Sequence, residues 1–258
     1  MYIIITIIGC KYNKTKTGEL FFILALSSHT MKILIVAATQ SEIEPLFQVG
    51  SLTPEVQSPQ SEDLELPTQD LRLLVTGVGM VATAFALGRH LATHQYDLAI
   101  NLGIAGSFDR SLDLGEVVEV TTDILAELGA EDDEDFLSIE QLGFGESVFT
   151  ASTTLSGIFN QHHIDSSNLL LKHTTGITVN TVHGNEQAIE KITSRLDVQV
   201  ESMEGAAFFY ACRKAGIPCI QIRAVSNYVE KRNRDGWQIG LAIKNLNTFA
   251  DALLKRLG

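Results

Sequence analysis

From Met31 onward, short apolar runs alternate with helical patterns, which limits the chain to a mostly parallel sheet with helices on both faces. A strand covered on both sides has no polar face, so it reads as an unbroken apolar run. KILIVAA (32–38), LRLLVTG (71–77) and PCIQIRAVS (218–226) are runs of that kind. DLAINLG (97–103), EVVEVTTDI (116–124) and TGITVNTV (175–182) are expected as further strands. MVATAFALGRHLAT (80–93) and NEQAIEKITSRL (185–196) are expected as helices. In the last helix Ile239, Ala242, Ile243, Leu246, Phe249, Ala250, Leu253 and Leu257 recur every three or four residues and form one apolar stripe. The stretch between the first two strands carries Pro54, Pro59 and Pro67 and reads as a surface excursion, and the middle of the chain before residue 175 as a long irregular section. One domain, 31–258, is the economical reading.

Residues 1–30 differ. Two short apolar runs flank a polar one, neither reaches the roughly 18 residues of a membrane span, and Lys11, Lys14 and Lys16 follow the first apolar run instead of preceding it. Translation is therefore expected to begin at Met31, leaving a leader outside the fold; a weak membrane anchor is the alternative. The net charge of −12 argues against a nucleic-acid surface. Cys10, Cys212 and Cys219 have neither metal spacing nor an even count, and Cys212 and Cys219, in apolar contexts, read as reduced packing residues of a cytosolic protein.

Candidate site residues cluster where strands end. In VQVESMEGAAFFYACRKAG (198–216) a carboxylate, Glu204, stands at a strand–helix junction. Ser202 capping the helix, with Glu204 in its first turn, would explain it without any site. VTGVGMVA (75–82) resembles a dinucleotide fingerprint, but the next strand lacks an acid at its end to hold a ribose. What remains is a glycine turn whose amides could approach a ligand. NLGIAGSF (101–108) reads as a second glycine-bearing turn. Both turns, with Glu42, Glu204 and Asn227, belong to the rim where open α/β sheets gather ligands. The acidic run EDDED (131–135) reads as solvated surface, His183 as a loop residue, and neither Thr153 nor Ser107 has the partners of a nucleophile. No Cys/His cluster suggests zinc, and no metal or cofactor is expected.

KILIVAATQSEIEPL, TGVGMVATA, INLGIAGSF, DLGEVV, ESMEGAA and IRAVSN occur in the order found in the purine nucleoside phosphorylase and nucleosidase superfamily, which the chain resembles over nearly everything after Met31. LAELGAE, TVNTVHGNE, ESMEGAAFFYAC and SNYVEKRNRD are most similar to members that release hypoxanthine. The resemblance implies a three-layer α/β/α sandwich around a mixed, mostly parallel sheet, cleavage of a purine N-glycosidic bond, a small-molecule nucleoside as partner, and a homo-oligomer. It implies catalytic roles for Glu42, Glu204 and Asn227: Glu42 activates water, and Met203 and Glu204 lie beneath and beside the ribose. It also implies that Thr76, Gly77, Gly103, Val182, His183, Met203 and Arg232 contact substrate. Where adenine-specific nucleosidases of the family have Asp, this chain has Asn227.

The chemistry is consistent with that resemblance. A sugar that becomes cation-like at the transition state gains from a carboxylate beside it. A phosphorylase needs an anion site, and TQSEIE after the first strand offers carboxylates and no basic residue. An amide NH₂ at residue 227 suits the O6 and N7 acceptors of hypoxanthine, which an ionised carboxylate would repel. Lys231, Arg232 and Arg234 are the nearest basic candidates for a carboxylate at the substrate's far end.

Overall fold

In the computed structural model, residues 31–48, 63–65 and 71–257 are described. The expected leader lies outside the described residues, as does most of the Pro-containing excursion. The chain begins with β1 (Ile33–Ala37), α1 (Gln40–Gln48), β2 (Asp63–Glu65), β3 (Leu71–Val75) and α2 (Met80–Leu91). There follow β4 (Leu98–Ser107), β5 (Val117–Leu125), a hairpin of β6 (Gly129–Asp132) and β7 (Asp135–Ser138), β8 (Val148–Thr150) and α3 (Leu155–His162). The last third comprises β9 (Lys172–Thr178), α4 (Glu186–Arg195), β10 (Val200–Ser202), α5 (Gly205–Ala215), β11 (Cys219–Tyr228) and α6 (Ile239–Leu257).

The pleat of β1 sorts the two layers of helices. Ile33, Ile35 and Ala37 join a core with Ile43, Phe159 and the apolar stripe of α6, whereas Leu34 and Val36 face Leu87, Phe208 and Phe209 of α2 and α5. Alternate residues therefore point to opposite faces, and the result is the three-layer α/β/α sandwich. The large sheet runs β10-β9-β5-β11-β4-β1-β3-β2, with β8 on β5. Neighbours of β1, together with the pairs β11–β4, β5–β9 and β9–β10, are parallel; β11–β5, β2–β3, β5–β8 and β10–β4 are antiparallel.

The β10–β4 pairing closes β4, β11, β5, β9 and β10 on themselves. Two ten-residue strands, β4 and β11, make this possible, and a bulge between Val225 and Asn227 bends the second. Here the structure corrects the sequence reading. NLGIAGSF is not a turn; β4 continues through Gly103 and Gly106 to Ser107. The irregular middle also contains a helix, α3, whose start is capped by Thr154 accepting from the Gly157 amide at 3.1 Å. EDDED forms the exposed tip of the β6–β7 hairpin.

Candidate active site

Segments at the ends of β1, β3, β4, β10 and β11 converge on a cavity of about 390 Å³. Glu42 enters it from the first turn of α1. Its Oε2 reaches back to the Thr39 amide (2.9 Å) and hydroxyl (3.0 Å), as the glutamate of a capping box does, while Oε1 accepts from the Ile104 amide of β4 at 3.1 Å. The carboxylate is thus held between helix and sheet, and its remaining lone pairs are available to the cavity.

Glu204 is the N-cap residue of α5, yet its side chain makes no cap hydrogen bond. The helix start is served by others: the Gly205 amide donates to Ser202 Oγ at 3.3 Å and the Ala206 amide to Thr178 Oγ1 at 2.7 Å. Glu204 Oε1 instead accepts from the Gly79 amide at 3.0 Å, and Oε2 lies 3.8 Å from Arg223 Nη1. The glycine turn after β3 therefore points an amide at this carboxylate. Gly77 and Gly79 adopt φ of 85° and 97°, which favours glycine.

Beneath the cavity lies a polar network that sequence reasoning missed. Arg223, only 1% exposed, donates from Nη2 to Asn101 Oδ1 at 2.6 Å. Asp123 accepts from Gln221 Nε2 and Thr178 Oγ1, both at 2.8 Å. Burial pushes the Asp123 carboxyl up to about 6 against the pull of these bonds and of Arg223. Gly205 is glycine because a Cβ there would collide with Asp123 Oδ2. A visible signal existed for Arg223: a guanidinium inside the apolar run CIQIRAVS must be buried and must have a partner.

Register places a second group of residues. Gly106 of β4 pairs with Glu201 of β10 on one side and with Asn227 of β11 on the other. A Cβ on Gly106 would lie 2.9 Å from Val229 Cγ2, 3.2 Å from Asn227 Nδ2 and 3.5 Å from Glu201 Cγ, so the side chains of both neighbouring strands close on bare backbone there. Asn227 accepts from Ser226 Oγ at 2.8 Å and donates to the Tyr228 carbonyl at 3.1 Å. Glu201 holds His183, whose Nδ1 is 2.7 Å from Oε2 and whose amide donates to Oε1 at 3.0 Å. Arg232 and the single tryptophan, Trp237, stack at 5.0 Å on the same wall.

Of the residues expected from sequence, Glu42, Val182, His183, Met203, Glu204, Asn227 and Arg232 line the cavity. Thr76, Gly77 and Gly103 do not. Thr76 is turned inward onto the Gly77 carbonyl (2.9 Å) and Thr83 Oγ1 (3.2 Å), and Val78 takes the wall position. Gly103 lies beside Arg223 and Glu42, and Ile104 to Gly106 line the cavity in its place. Lys231 and Arg234 are also absent from the wall. Among the described residues no group of three or more His, Cys, Asp or Glu could hold a metal ion, and no helix is long and apolar enough to cross a membrane.

The family model described as the Phosphorylase superfamily matches residues 32–257. Among curated proteins, the chain is similar to futalosine hydrolase of Acidothermus cellulolyticus, 30% identical over 227 residues that cover 87% of this chain and 91% of that protein. Futalosine hydrolase of Thermus thermophilus is 29% identical over 192 residues, 72% of this chain and 81% of that one. Among solved structures, the 5'-methylthioadenosine/S-adenosylhomocysteine nucleosidase of Colwellia psychrerythraea in complex with adenine has a TM-score of 0.71 and 23% identity, covering 89% of this chain and 96% of that one.

Proposed function

The chain belongs to the phosphorylase superfamily, and from that premise we propose that it is a nucleosidase that hydrolyses futalosine to hypoxanthine and dehypoxanthine futalosine, in menaquinone biosynthesis. The observation that carries hydrolysis over phosphorolysis is the charge of the wall. Among the described residues, Glu42, Glu201, Glu204 and Glu230 line the cavity against Arg232 alone of the lysines and arginines. A phosphate dianion would be repelled there, whereas water and a cation-like sugar are favoured.

Glu42 takes the proton of the attacking water, and Glu204 accepts from the ribose hydroxyls while its charge steadies the sugar. Asn227 addresses the base through its amide. The position of Arg232 in the cavity wall, stacked on Trp237, supports it as the cation that meets a carboxylate at the substrate's far end. The buried free thiols Cys212 and Cys219 fit a reducing, cytoplasmic setting.

A homo-oligomer is part of this reading. Val78, Val81 and Phe85 stand 57%, 77% and 69% exposed at the start of α2, and Val78 also lines the cavity. A second copy covering this stripe would extend the cavity wall. Light scattering should give a multiple of the 28.2 kDa chain, and a monomeric mass would remove this part of the reading.

The substrate assignment is tested by kcat/KM for futalosine and for its 6-amino counterpart in phosphate-free buffer with a chelator present. The wild type is expected to release hypoxanthine. Asn227→Asp should then shift preference toward the 6-amino substrate by about tenfold or more, since one mismatched buried hydrogen bond costs roughly 1–3 kcal/mol. Wild-type preference for the 6-amino substrate would favour an adenine-specific nucleosidase instead. Cleavage of methylthioadenosine or S-adenosylhomocysteine would favour that same alternative, and no cleavage of any of these would leave a purine-binding module.

A further inference from the structure

A purine leaves more readily when a proton reaches it as the glycosidic bond breaks, and the proposed roles of Glu42, Glu204 and Asn227 do not provide one. Glu42 receives a proton, Glu204 faces the sugar, and an amide cannot transfer one as an acid. We propose that His183, held by Glu201, is the general acid that protonates the departing base. This rests on the nucleosidase reading above and adds a catalytic residue to it.

Three observations support it. His183 lines the cavity and is the only histidine that does so among the described residues. Its Nδ1 is bound by the Glu201 carboxylate at 2.7 Å, and the same carboxylate accepts the His183 amide at 3.0 Å, so ring and backbone are fixed together. A carboxylate on Nδ1 leaves Nε2 as the nitrogen for proton transfer. Finally, Glu201 and Asn227 flank Gly106 in one row across the sheet, which places the dyad beside the residue proposed to recognise the base. Phe108 meets the His183 ring edge-on at 6.1 Å and limits its rotation.

The step balances without an outside reagent. Hydroxide from water bonds to the anomeric carbon, and the water's second proton goes to Glu42. The C1'–N9 electron pair leaves with the purine, which takes the Nε2 proton of His183. Glu42 then returns its proton to solvent and His183 takes one up.

Other charged groups stand around His183. A second cavity of about 440 Å³, which His183 also lines, presents Glu127, Glu131, Lys191 and Arg195. Arg232 packs against Gly184, its Cβ 3.7 Å from where a Gly184 Cβ would lie, and Glu204 and Glu230 share the first cavity. Glu201 is the group in direct contact with the ring, 2.7 Å from Nδ1.

The test compares leaving groups in full-length protein. His183→Gln should lower kcat on the purine nucleoside by about 10²-fold or more, with KM little changed. The same variant should cleave a 4-nitrophenyl riboside near the wild-type rate, because nitrophenolate departs without a proton. Equal losses on both substrates, or no loss on either, would overturn the assignment. Glu201→Gln provides a second readout. Without that carboxylate the ring loses the partner that fixes it, so this variant should also lose rate on the purine nucleoside while keeping it on the 4-nitrophenyl riboside; equal losses on both, or none on either, in a folded variant overturn the role given to the dyad. Failure of the nucleosidase reading is seen separately, in the wild type. If another purine nucleoside is the one cleaved, the leaving-group comparison is made on that substrate.

Discussion

Glu204→Gln is expected to lower turnover by about 10²-fold or more while the protein remains folded. The glutamine is nearly isosteric, so its carbonyl can keep the Gly79 amide that Glu204 Oε1 now accepts at 3.0 Å. What disappears is the negative charge opposite Arg223, the charge proposed to steady the sugar. The start of α5 does not depend on this side chain, because Ser202 and Thr178 accept its first amides. A carboxylate that only favoured the helix dipole would be worth at most about 1 kcal/mol and its loss would leave kcat near normal. Circular dichroism and single-turnover rates on the same preparation decide between them. Near-normal kinetics would return Glu204 to a structural role.

Gly103→Ala should be nearly as damaging, although Gly103 is outside the cavity wall. The added Cβ would collide with Arg223 Nη1 and stand 3.0 Å from Glu42 Oε1. Arg223 is a flexible side chain in principle, but it is 1% exposed and its other amino group is bound to Asn101, so it has little room to yield. Overpacking of this kind costs typically 1–3 kcal/mol. Both the guanidinium facing Glu204 and the proposed general base would be displaced. A misplacement of about 1 Å can cost 10²-fold in rate. The expected result is therefore a modest fall in melting temperature with a fall in kcat/KM of about 10²-fold. Wild-type activity in this variant would show that neither group depends on the gap that Gly103 leaves.

The two substitutions differ in how far the sequence pointed to them. Glu204 is conspicuous in ESMEGAA as a carboxylate at a strand–helix junction. Nothing local marks Gly103 as packed against a buried arginine.

Local chemistry determined a good deal by itself. Apolar runs placed β1, β3 and β11, because strands buried on two faces leave that mark, and the stripe of α6 was readable residue by residue. Leu155, Ile158 and Phe159 behind a threonine cap were a legible helical signal for α3 that the assignment of an irregular middle passed over. Other features were decided only in three dimensions. Glycines ordinarily mark turns, yet β4 runs straight through Gly103 and Gly106, since neighbouring strands bring Arg223, Glu201 and Asn227 against the bare backbone. Likewise, whether Glu204 caps its own helix or faces a cavity depends on Thr178 and Gly79, which lie far from it in sequence. The row Glu201–Gly106–Asn227 and the pairing of Glu201 with His183 exist because β10 closes onto β4. A sequence reveals periodicity along one strand, but which side chains become neighbours depends on the register between strands, and only the closed sheet sets that register.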